Sequence, residues 1–211
     1  DLLSRCIETR DEMTNRVPLL VKLAPDLDED ELKAVAQVCM DVKIDGIVVT
    51  NTTNKRPQDL FGKHRGESGG LSGQPVRQRS TECIRLLFQL TNGSIPIVGV
   101  GGIGSGRDAY EKLKAGASLV QVYSMMVYQG PGVVSRIRDE LASLMLENGQ
   151  RSIQDVIGLD HEDIFWRQHQ ERLDSSRRQE TKLDLEAEEK EEEEEEAVAS
   201  FQGTGIEQLK E

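Results

Sequence analysis

Four short apolar segments alternate with amphipathic helical patterns along most of the chain. The segments span residues 17–25, 45–51, 95–100 and 118–123, and they are apolar on both sides rather than alternating with polar residues. Apolar strands separated by helices are typical of a parallel sheet whose two faces are both covered. The order therefore predicts an α/β protein of four βα units, and we expect its strands to be buried.

The helical patterns have recognisable starting residues. Asp28 and Glu31 have the spacing of a capping box at the start of a helix after the first segment. Pro75 suits the first position of the next helix, and Ser105 suits the N-terminal cap of the one after it. The last helix is predicted over residues 131–147, because its apolar residues recur on one side.

The third segment runs directly into a glycine-rich turn and then into a helix. Glycine allows positive φ angles and lets a ligand approach the main chain, so Gly101 and Gly102 can form a cradle for an anion. Ser105 caps the helix that follows, and we expect the free N–H groups of that helix to face the anion. The fourth segment ends in Tyr123 and Ser124, where a βα barrel commonly completes a phosphate site. The alternatives are a tight turn without a ligand for the glycines and an aromatic side chain in the core for Tyr123.

Polar side chains follow the first two segments at the corresponding ends. Lys22 lies near the end of the first segment, where a buried ammonium group needs an anion or acquires a lowered pKa. Thr50, Asn51 and Thr52 end the second segment, and the Asn51 amide offers a donor and an acceptor to a small heterocycle. A structural ion pair of Lys22 and local turn hydrogen bonds of Asn51 are the alternatives.

A long polar loop over residues 52–74 joins the second segment to the next helix. The loop exceeds the usual length of a connection, which indicates a function. Near its end lies the glycine-dense run 69–73, where Ser72 and Gly73 can present main-chain N–H groups to a ligand. A flexible loop without a ligand is the alternative.

Charge and composition restrict the kinds of partner. The net charge is −12, and residues 184–196 contain ten acidic residues and one lysine. This distribution predicts a polar, Glu-rich and largely disordered tail over residues 162–211, and it gives no electrostatic reason to expect nucleic-acid binding. No run of residues indicates a targeting segment or a membrane-spanning helix.

The residues that commonly form metal centres or catalytic triads show no suitable spacing. The cysteines are neither paired nor arranged as zinc ligands, and no metal site is expected; they are Cys6, Cys39 and Cys83. The three histidines have no metal-ligand spacing, and no Ser–His–acid set can be placed at the strand ends. A bound cofactor must therefore supply any redox reactivity.

Five stretches of the sequence, in this order, closely resemble the dihydroorotate dehydrogenases of the quinone-dependent, mitochondrial type (class 2). They are LVKLAPDL (20–27), DGIVVTNTT (45–53), GGLSG (69–73), GVGG (99–102) and GASLVQVY (116–123). The resemblance extends over residues 1–161 and implies an FMN enzyme on a (β/α)₈ TIM barrel. That family oxidises dihydroorotate to orotate in pyrimidine (UMP) biosynthesis, with ubiquinone as acceptor.

The resemblance also implies roles for individual residues. Flavin contacts are implied for Lys22, Thr50, Ser72, Gly73, Gly101, Gly102, Tyr123 and Ser124, of which Lys22 favours the negative charge that develops on reduction. Asn51 and Thr52 match the residues that hold the pyrimidine ring. The wall of the quinone tunnel is implied for Tyr123, Met126, Val127 and Pro131.

One departure from the family pattern concerns the start of the chain. The family's catalytic base, a serine on a loop before the first helix, has no counterpart here, nor do the first half of the barrel and the N-terminal membrane-associated region with its targeting segment. We therefore expect the C-terminal half of an FMN-binding (β/α)₈ barrel over residues 1–161. We expect the chain to be a fragment of an enzyme of the mitochondrial inner membrane and to be inactive by itself.

Two other functions stay open at this point. One is a different FMN barrel, such as a soluble dihydroorotate dehydrogenase or a dihydropyrimidine dehydrogenase domain, which shares the phosphate cradle. The other is a non-catalytic interaction protein that uses the half-barrel and the acidic tail as a binding surface.

Overall fold

The computed structural model describes residues 2–164 together with Gln170, Asp174 and Ser175. The chain divides into two compact units, Asp1–Phe165 and Trp166–Glu211. Most of the tail that the sequence predicts over residues 162–211 therefore lies outside the described residues. Residues 162–164 are helical, and Ile164 is buried in the same core as the sheet.

Strands and helices alternate through the first unit. Its strands are β1 (Leu20–Leu23), β2 (Gly46–Val49), β3 (Ile97–Val100) and β4 (Leu119–Gln121). Its α-helices are α1 (Leu2–Asp11), α2 (Glu29–Asp41), α3 (Arg77–Leu90), α4 (Gly106–Lys114), α5 (Ser124–Gln129) and α6 (Gly132–Glu147). Short 3₁₀ helices span Gln74–Val76 and Ile153–Asp155. No helix in the described part of the chain is long and apolar enough to cross a membrane.

The four strands form one parallel sheet in the order β1-β2-β3-β4. Lys22 of β1 lies opposite Val48 of β2, Val48 lies opposite Val98 of β3, and Val98 lies opposite Leu119 of β4. Because each strand connects to the next through a helix, the carboxyl ends of all four strands lie at one edge of the sheet. The predicted α/β class with four parallel strands is confirmed.

The core lies between one face of the sheet and the helices that pack on it. Ile47, Val49 and Ile97 are completely buried on this face. The helices contribute apolar residues spaced three or four apart, which places them on one side of each helix. The buried members include Leu32, Ala36 and Cys39 of α2, Ile84, Leu87 and Phe88 of α3, and Leu113 of α4.

The opposite face of the sheet is open, so the expectation that the strands are buried on both faces is wrong for the outer strands. Leu20 of β1 is 40% exposed and Leu119 of β4 is 65% exposed. Within the described part of the chain, each outer strand has a neighbouring strand on one side only. Side chains alternate along a strand, and the described residues cover only the face that packs on the helices.

Two of the three helix starts that the sequence predicts are confirmed, and the third is displaced. Asp28 and Glu31 form a capping box at α2, and the Ser105 hydroxyl caps α4 by accepting from the Asp108 N–H. Pro75 lies in the 3₁₀ turn Gln74–Val76 rather than at the first residue of α3.

Candidate functional site

A cavity of about 290 Å³ opens at the carboxyl ends of the four strands. Its wall brings together ten residues that the sequence singled out, namely Lys22, Thr50, Asn51, Thr52, Ser72, Gly73, Gly101, Gly102, Tyr123 and Ser124. The rest of the wall is formed by residues that the sequence did not mark, namely Val76, Val100, Ile103, Gln121 and Met125. The wall therefore combines polar side chains and main-chain groups with apolar side chains.

Lys22 brings a positive charge to this wall from β1. Among the residues that the structure describes, none forms a hydrogen bond or an ion pair with its ammonium group. The alternative of a structural ion pair is therefore not what the structure shows. A cation without a partner on a cavity wall favours a negative charge on whatever occupies the cavity.

The end of β2 is fixed to both neighbouring strands. The Thr50 N–H donates to the Val100 carbonyl at 2.8 Å, and the Asn51 N–H donates to the Leu23 carbonyl at 2.6 Å. Thr50 is 2% exposed, and its buried hydroxyl has no hydrogen-bond partner among the described residues. The Asn51 side-chain oxygen accepts from the Thr52 N–H at 2.9 Å, so the turn hydrogen bond expected as the alternative is present.

The turn after β3 requires glycine at Gly102. Its φ is 69°, and a Cβ there would lie 2.4 Å from Arg77 Cβ and 2.7 Å from Arg77 Cα. The main-chain N–H groups of Gly101, Gly102 and Ile103 donate no hydrogen bond within the described part of the chain. Consecutive free N–H groups at a concave surface are a common anion-binding arrangement.

The start of α4 differs from the expectation that its free N–H groups face the anion. The Gly106 N–H donates to the Glu140 carboxylate at 2.6 Å, and the Gly104 N–H donates to the Asp108 carboxylate at 2.9 Å. Two acidic side chains thus already occupy these donors, and neither Gly104 nor Gly106 lines the cavity. The free N–H groups on the cavity wall therefore belong to the turn that precedes the helix and not to the helix itself.

The loop after β2 and the end of β4 meet at the same side of the cavity. The Ser124 hydroxyl, at the first residue of α5, donates to the Ser72 hydroxyl at 2.9 Å. Gly73 has a φ of 79°, and a Cβ there would lie 3.7 Å from Ser124 Cβ. Two hydroxyl groups therefore lie together on the cavity wall, where they can add hydrogen bonds to an anion.

Of the four residues assigned to a tunnel, only Tyr123 lines this cavity. Met126 and Val127 lie on α5 and Pro131 caps α6, outside the cavity wall. Tyr123 is 76% exposed and Val127 is 79% exposed, so an apolar surface continues from the cavity mouth along α5. The tunnel role of these residues stays a prediction.

A buried polar cluster behind the glycine turn was missed by the sequence analysis. Arg77 pairs with the Asp108 carboxylate, and Lys112 of α4 is completely buried next to them. Burial alone raises the pKa of Asp108, but hydrogen bonds from Arg77, the Gly104 N–H and Ser105 outweigh it and hold that pKa below its usual value. Burial lowers the pKa of Lys112 to about 8. The one available signal was a lysine among the apolar positions of the α4 pattern.

No group of three or more His, Cys, Asp and Glu side chains is arranged to hold a metal ion in the described ranges. The site offers instead an unpaired cation, free main-chain N–H groups, hydroxyls and a planar amide. Fold and site together define a parallel βα protein with a cavity at the carboxyl ends of its strands, whose wall suits a small ligand with an anionic end.

Residues 1–145 match the family model described as dihydroorotate dehydrogenase. A protein of Azorhizobium caulinodans named dihydroorotate dehydrogenase (quinone) is 51% identical over 149 residues, which cover 71% of this chain and 42% of that protein. The mouse protein named dihydroorotate dehydrogenase (quinone), mitochondrial, is 48% identical over 162 residues, which cover 76% of this chain and 41% of the mouse protein.

The structural comparison agrees with the sequence comparison. The crystal structure of ligand-free DHODH from Eimeria tenella matches with a TM-score of 0.69 and 44% identity, covering 71% of this chain and 42% of that one. The chain belongs to the dihydroorotate dehydrogenase family, and its parallel sheet is consistent with part of that family's barrel. It spans about 40% of the length of the curated relatives it matches.

Proposed function

We propose that this chain is part of an FMN-dependent dihydroorotate dehydrogenase that oxidises dihydroorotate to orotate and uses ubiquinone as acceptor, a step of pyrimidine (UMP) biosynthesis. The observation that supports this most is the convergence of four strand-end signals on one cavity, in a chain 51% identical to a relative named for this activity. In this proposal residues 1–161 form the C-terminal half of a (β/α)₈ barrel, and residues 162–211 form a tail.

The residues of the cavity suit FMN. The free N–H groups at Gly101 and Gly102 and the paired hydroxyls of Ser72 and Ser124 suit its phosphate. The unpartnered Thr50 hydroxyl supports a polar ligand edge at the other side of the cavity, because a buried hydroxyl without a hydrogen bond is destabilising. The donor set thus matches a ligand with an anionic end and a polar ring.

A flavin held by these residues would supply the hydride-accepting and electron-transferring chemistry that the side chains of the cavity lack. Lys22, an exposed lysine on the cavity wall, would place a positive charge where negative charge develops on reduction and would thereby favour the reduced state. The Asn51 amide and the Thr52 hydroxyl hydrogen-bond the pyrimidine ring and fix its orientation. The proposal assigns no catalytic base among the residues of this chain.

The names of the relatives support the proposed acceptor and the proposed mitochondrial location. Proteins of Azorhizobium caulinodans and Rhodospirillum rubrum are named for quinone, and those of mouse and Arabidopsis thaliana are in addition named mitochondrial. We place the complete protein at the mitochondrial inner membrane, attached through a region N-terminal to this chain. The exposed apolar surface along α5, with Tyr123, Met126, Val127 and Pro131, supports a path for an apolar quinone.

The experiment for this proposal replaces Lys22 by alanine in the complete protein. Anaerobic flavin reduction by dihydroorotate is expected to slow by on the order of a hundredfold, because one preorganised charge in a cavity contributes about that much. Lys33→Ala is the matched control, since Lys33 lies on the surface of α2 and pairs with Glu29. Reduction at the wild-type rate by Lys22→Ala protein with its flavin bound would contradict the role.

A further inference from the structure

We propose that Lys112, buried behind the Gly101–Gly102 turn, is a positioning residue that sets the affinity of the cavity for the phosphate end of its cofactor. The proposal rests on the proposed function, because it takes FMN as the ligand. Lys112 does not line the cavity. It acts through the first turn of α3, on which the glycine turn packs.

Lys112 joins α4 to α3 at a completely buried position. Its ammonium group lies 3.0 Å from Thr81 Oγ1, 3.1 Å from Ser80 Oγ and 3.3 Å from the Arg77 carbonyl oxygen. All three acceptors belong to the first turns of α3. The methylene chain of Lys112 lies against β3, since a Cβ on Gly99 would lie 3.2 Å from Lys112 Cδ. The Lys112 side chain thus links α4 to α3 and to β3, the strand that leads into the turn.

The acceptors of Lys112 are the groups on which the glycine turn rests. The Ser80 hydroxyl donates to the Val100 carbonyl, and a Cβ on Gly101 would lie 3.0 Å from Ser80 Cβ. A Cβ on Gly102 would lie 2.7 Å from Arg77 Cα. A displacement of the first turn of α3 therefore shifts the free N–H groups of Gly101 and Gly102, two residues that line the cavity.

In the described part of the chain, no carboxylate bonds directly to the ammonium group of Lys112. The groups that face it are Asp108 and Glu111 of α4 and Arg77 and Cys83 of α3. Asp108 and Glu111 both pair with Arg77, and burial raises the pKa of the Cys83 thiol, which stays neutral. Lys112 therefore adds positive potential behind the cradle, which favours a phosphate.

The protonation of Lys112 affects folding and phosphate binding in opposite directions. Burial lowers its pKa to about 8 from 10.5, so between these values the unfolded chain binds more protons and stability rises with pH. Over the same interval Lys112 loses its charge and one donor, so the affinity for the phosphate falls. The phosphate itself, with a second pKa of about 6, stays a dianion throughout. Loss of affinity above pH 8 is therefore not a consequence of unfolding.

The test compares FMN with riboflavin, which lacks the phosphate, in flavin-free complete protein, with binding followed by fluorescence quenching from pH 7 to 9. For the wild type we expect the ratio of FMN to riboflavin affinity to fall as the pH rises. Lys112→Met is expected to lower the affinity for FMN by about tenfold at pH 7, because the variant lacks one poorly screened charge. The same variant should keep the affinity for riboflavin within about twofold of the wild-type value. It should also abolish the pH dependence of the ratio of FMN to riboflavin affinity.

Two further variants separate the contributions. Lys112→Gln keeps two donors without the charge and gives a second measurement if the methionine variant does not fold. Lys114→Met is the matched control, because Lys114 lies on the same helix and pairs with Asp160 at the surface. Equal losses of FMN and riboflavin affinity, or a wild-type ratio independent of pH, would overturn the positioning role alone. A wild-type protein that binds neither flavin would overturn the proposed function as well.

Discussion

The Thr50 hydroxyl is a buried polar atom with no hydrogen-bond partner among the described residues. Nearly all buried polar groups in folded proteins have a hydrogen-bond partner, and a buried group without one costs about 1–3 kcal/mol of stability. Its position on the cavity wall explains the exception, because a ligand in the cavity can supply the missing hydrogen bond. The same side chain is thus unfavourable for folding and favourable for binding.

Replacement of Thr50 by valine separates these two effects. Because valine has nearly the same shape without the hydroxyl, the free energy of unfolding of the flavin-free protein is expected to rise by about 1 kcal/mol. The affinity for FMN is expected to fall by about tenfold, the value of one hydrogen bond in a dry site. Denaturant unfolding and flavin titration measure the two quantities.

Thr91→Val is the control for this prediction. Thr91 is also buried, but its hydroxyl donates to the Leu87 carbonyl at 2.8 Å and lies away from the cavity. We expect this variant to be destabilised and to bind FMN as the wild type does. A loss of stability in Thr50→Val as large as in Thr91→Val would show that the Thr50 hydroxyl already has a partner.

At the residue scale, the sequence predicts which positions meet but not everything that surrounds them. Lys22, Asn51 and Tyr123 could be placed at one edge because each follows an apolar segment, and parallel strands end together. Gln121 and Met125 also line the cavity, yet their residue types mark no chemistry in the sequence. Ser80 and the other contacts of Lys112 depend on how α3 packs on α4, which one-dimensional periodicity does not show.

At the scale of elements, the long connection between β2 and α3 is fixed at its base. Thr53 and Leu71 exchange main-chain hydrogen bonds of 3.0 and 2.8 Å. Arg56 then donates to the carbonyl oxygens of Glu67 at 2.8 Å and Gly69 at 2.7 Å. These bonds hold the end of the loop that carries Ser72 to the cavity. The length of the loop was visible in the sequence, whereas the role of Arg56 depends on carbonyl groups more than ten residues away.

Removal of the Arg56 side chain is expected to loosen this loop. In Arg56→Ala protein the amides of residues 57–70 should exchange hydrogen about tenfold faster or more, because two long-range bonds to the loop are lost. The amides of β2 should be unchanged. Hydrogen-exchange mass spectrometry checks this, with Arg65→Ala, an exposed arginine of the same loop, as control. Equal exchange in wild type and Arg56→Ala would mean that the Thr53–Leu71 pair is sufficient.

The helices show where pattern recognition succeeds and where it stops. α6 spans Gly132–Glu147, as the long apolar stripe over residues 131–147 predicts. α5 spans only Ser124–Gln129 and was not predicted, because six residues are too few to display a helical period. The start of α4 was located correctly through Ser105, but its occupied N–H groups depend on Glu140, far along the chain.

At the scale of the whole molecule, the sheet has one covered face and one open face. The described helices cover the face of Ile47 and Ile97, whereas Leu20 and Leu119 are exposed on the other strands. Exposed apolar side chains and unpaired strand edges favour further packing, which agrees with a chain that spans about 40% of its relatives.

The central claim is that the glycine turn of this cavity binds the phosphate of FMN. Gly102 tests it because a Cβ at this position would collide with the Arg77 main chain and move the free N–H groups. Gly149 is a matched control: its φ of 73° is similar, but a Cβ there would contact nothing within 4 Å. The two alanine variants therefore share the cost of a left-handed residue, about 1 kcal/mol, and only Gly102→Ala adds a collision with Arg77 at the cradle.

The decisive measurement is the flavin content of the complete protein purified as Gly102→Ala and as Gly149→Ala, each checked for cooperative thermal unfolding. We expect Gly149→Ala to retain FMN as the wild type does, and Gly102→Ala to retain about tenfold less, because its cradle is displaced. Folded Gly102→Ala protein that carries as much FMN as Gly149→Ala would contradict the claim that this turn binds the phosphate.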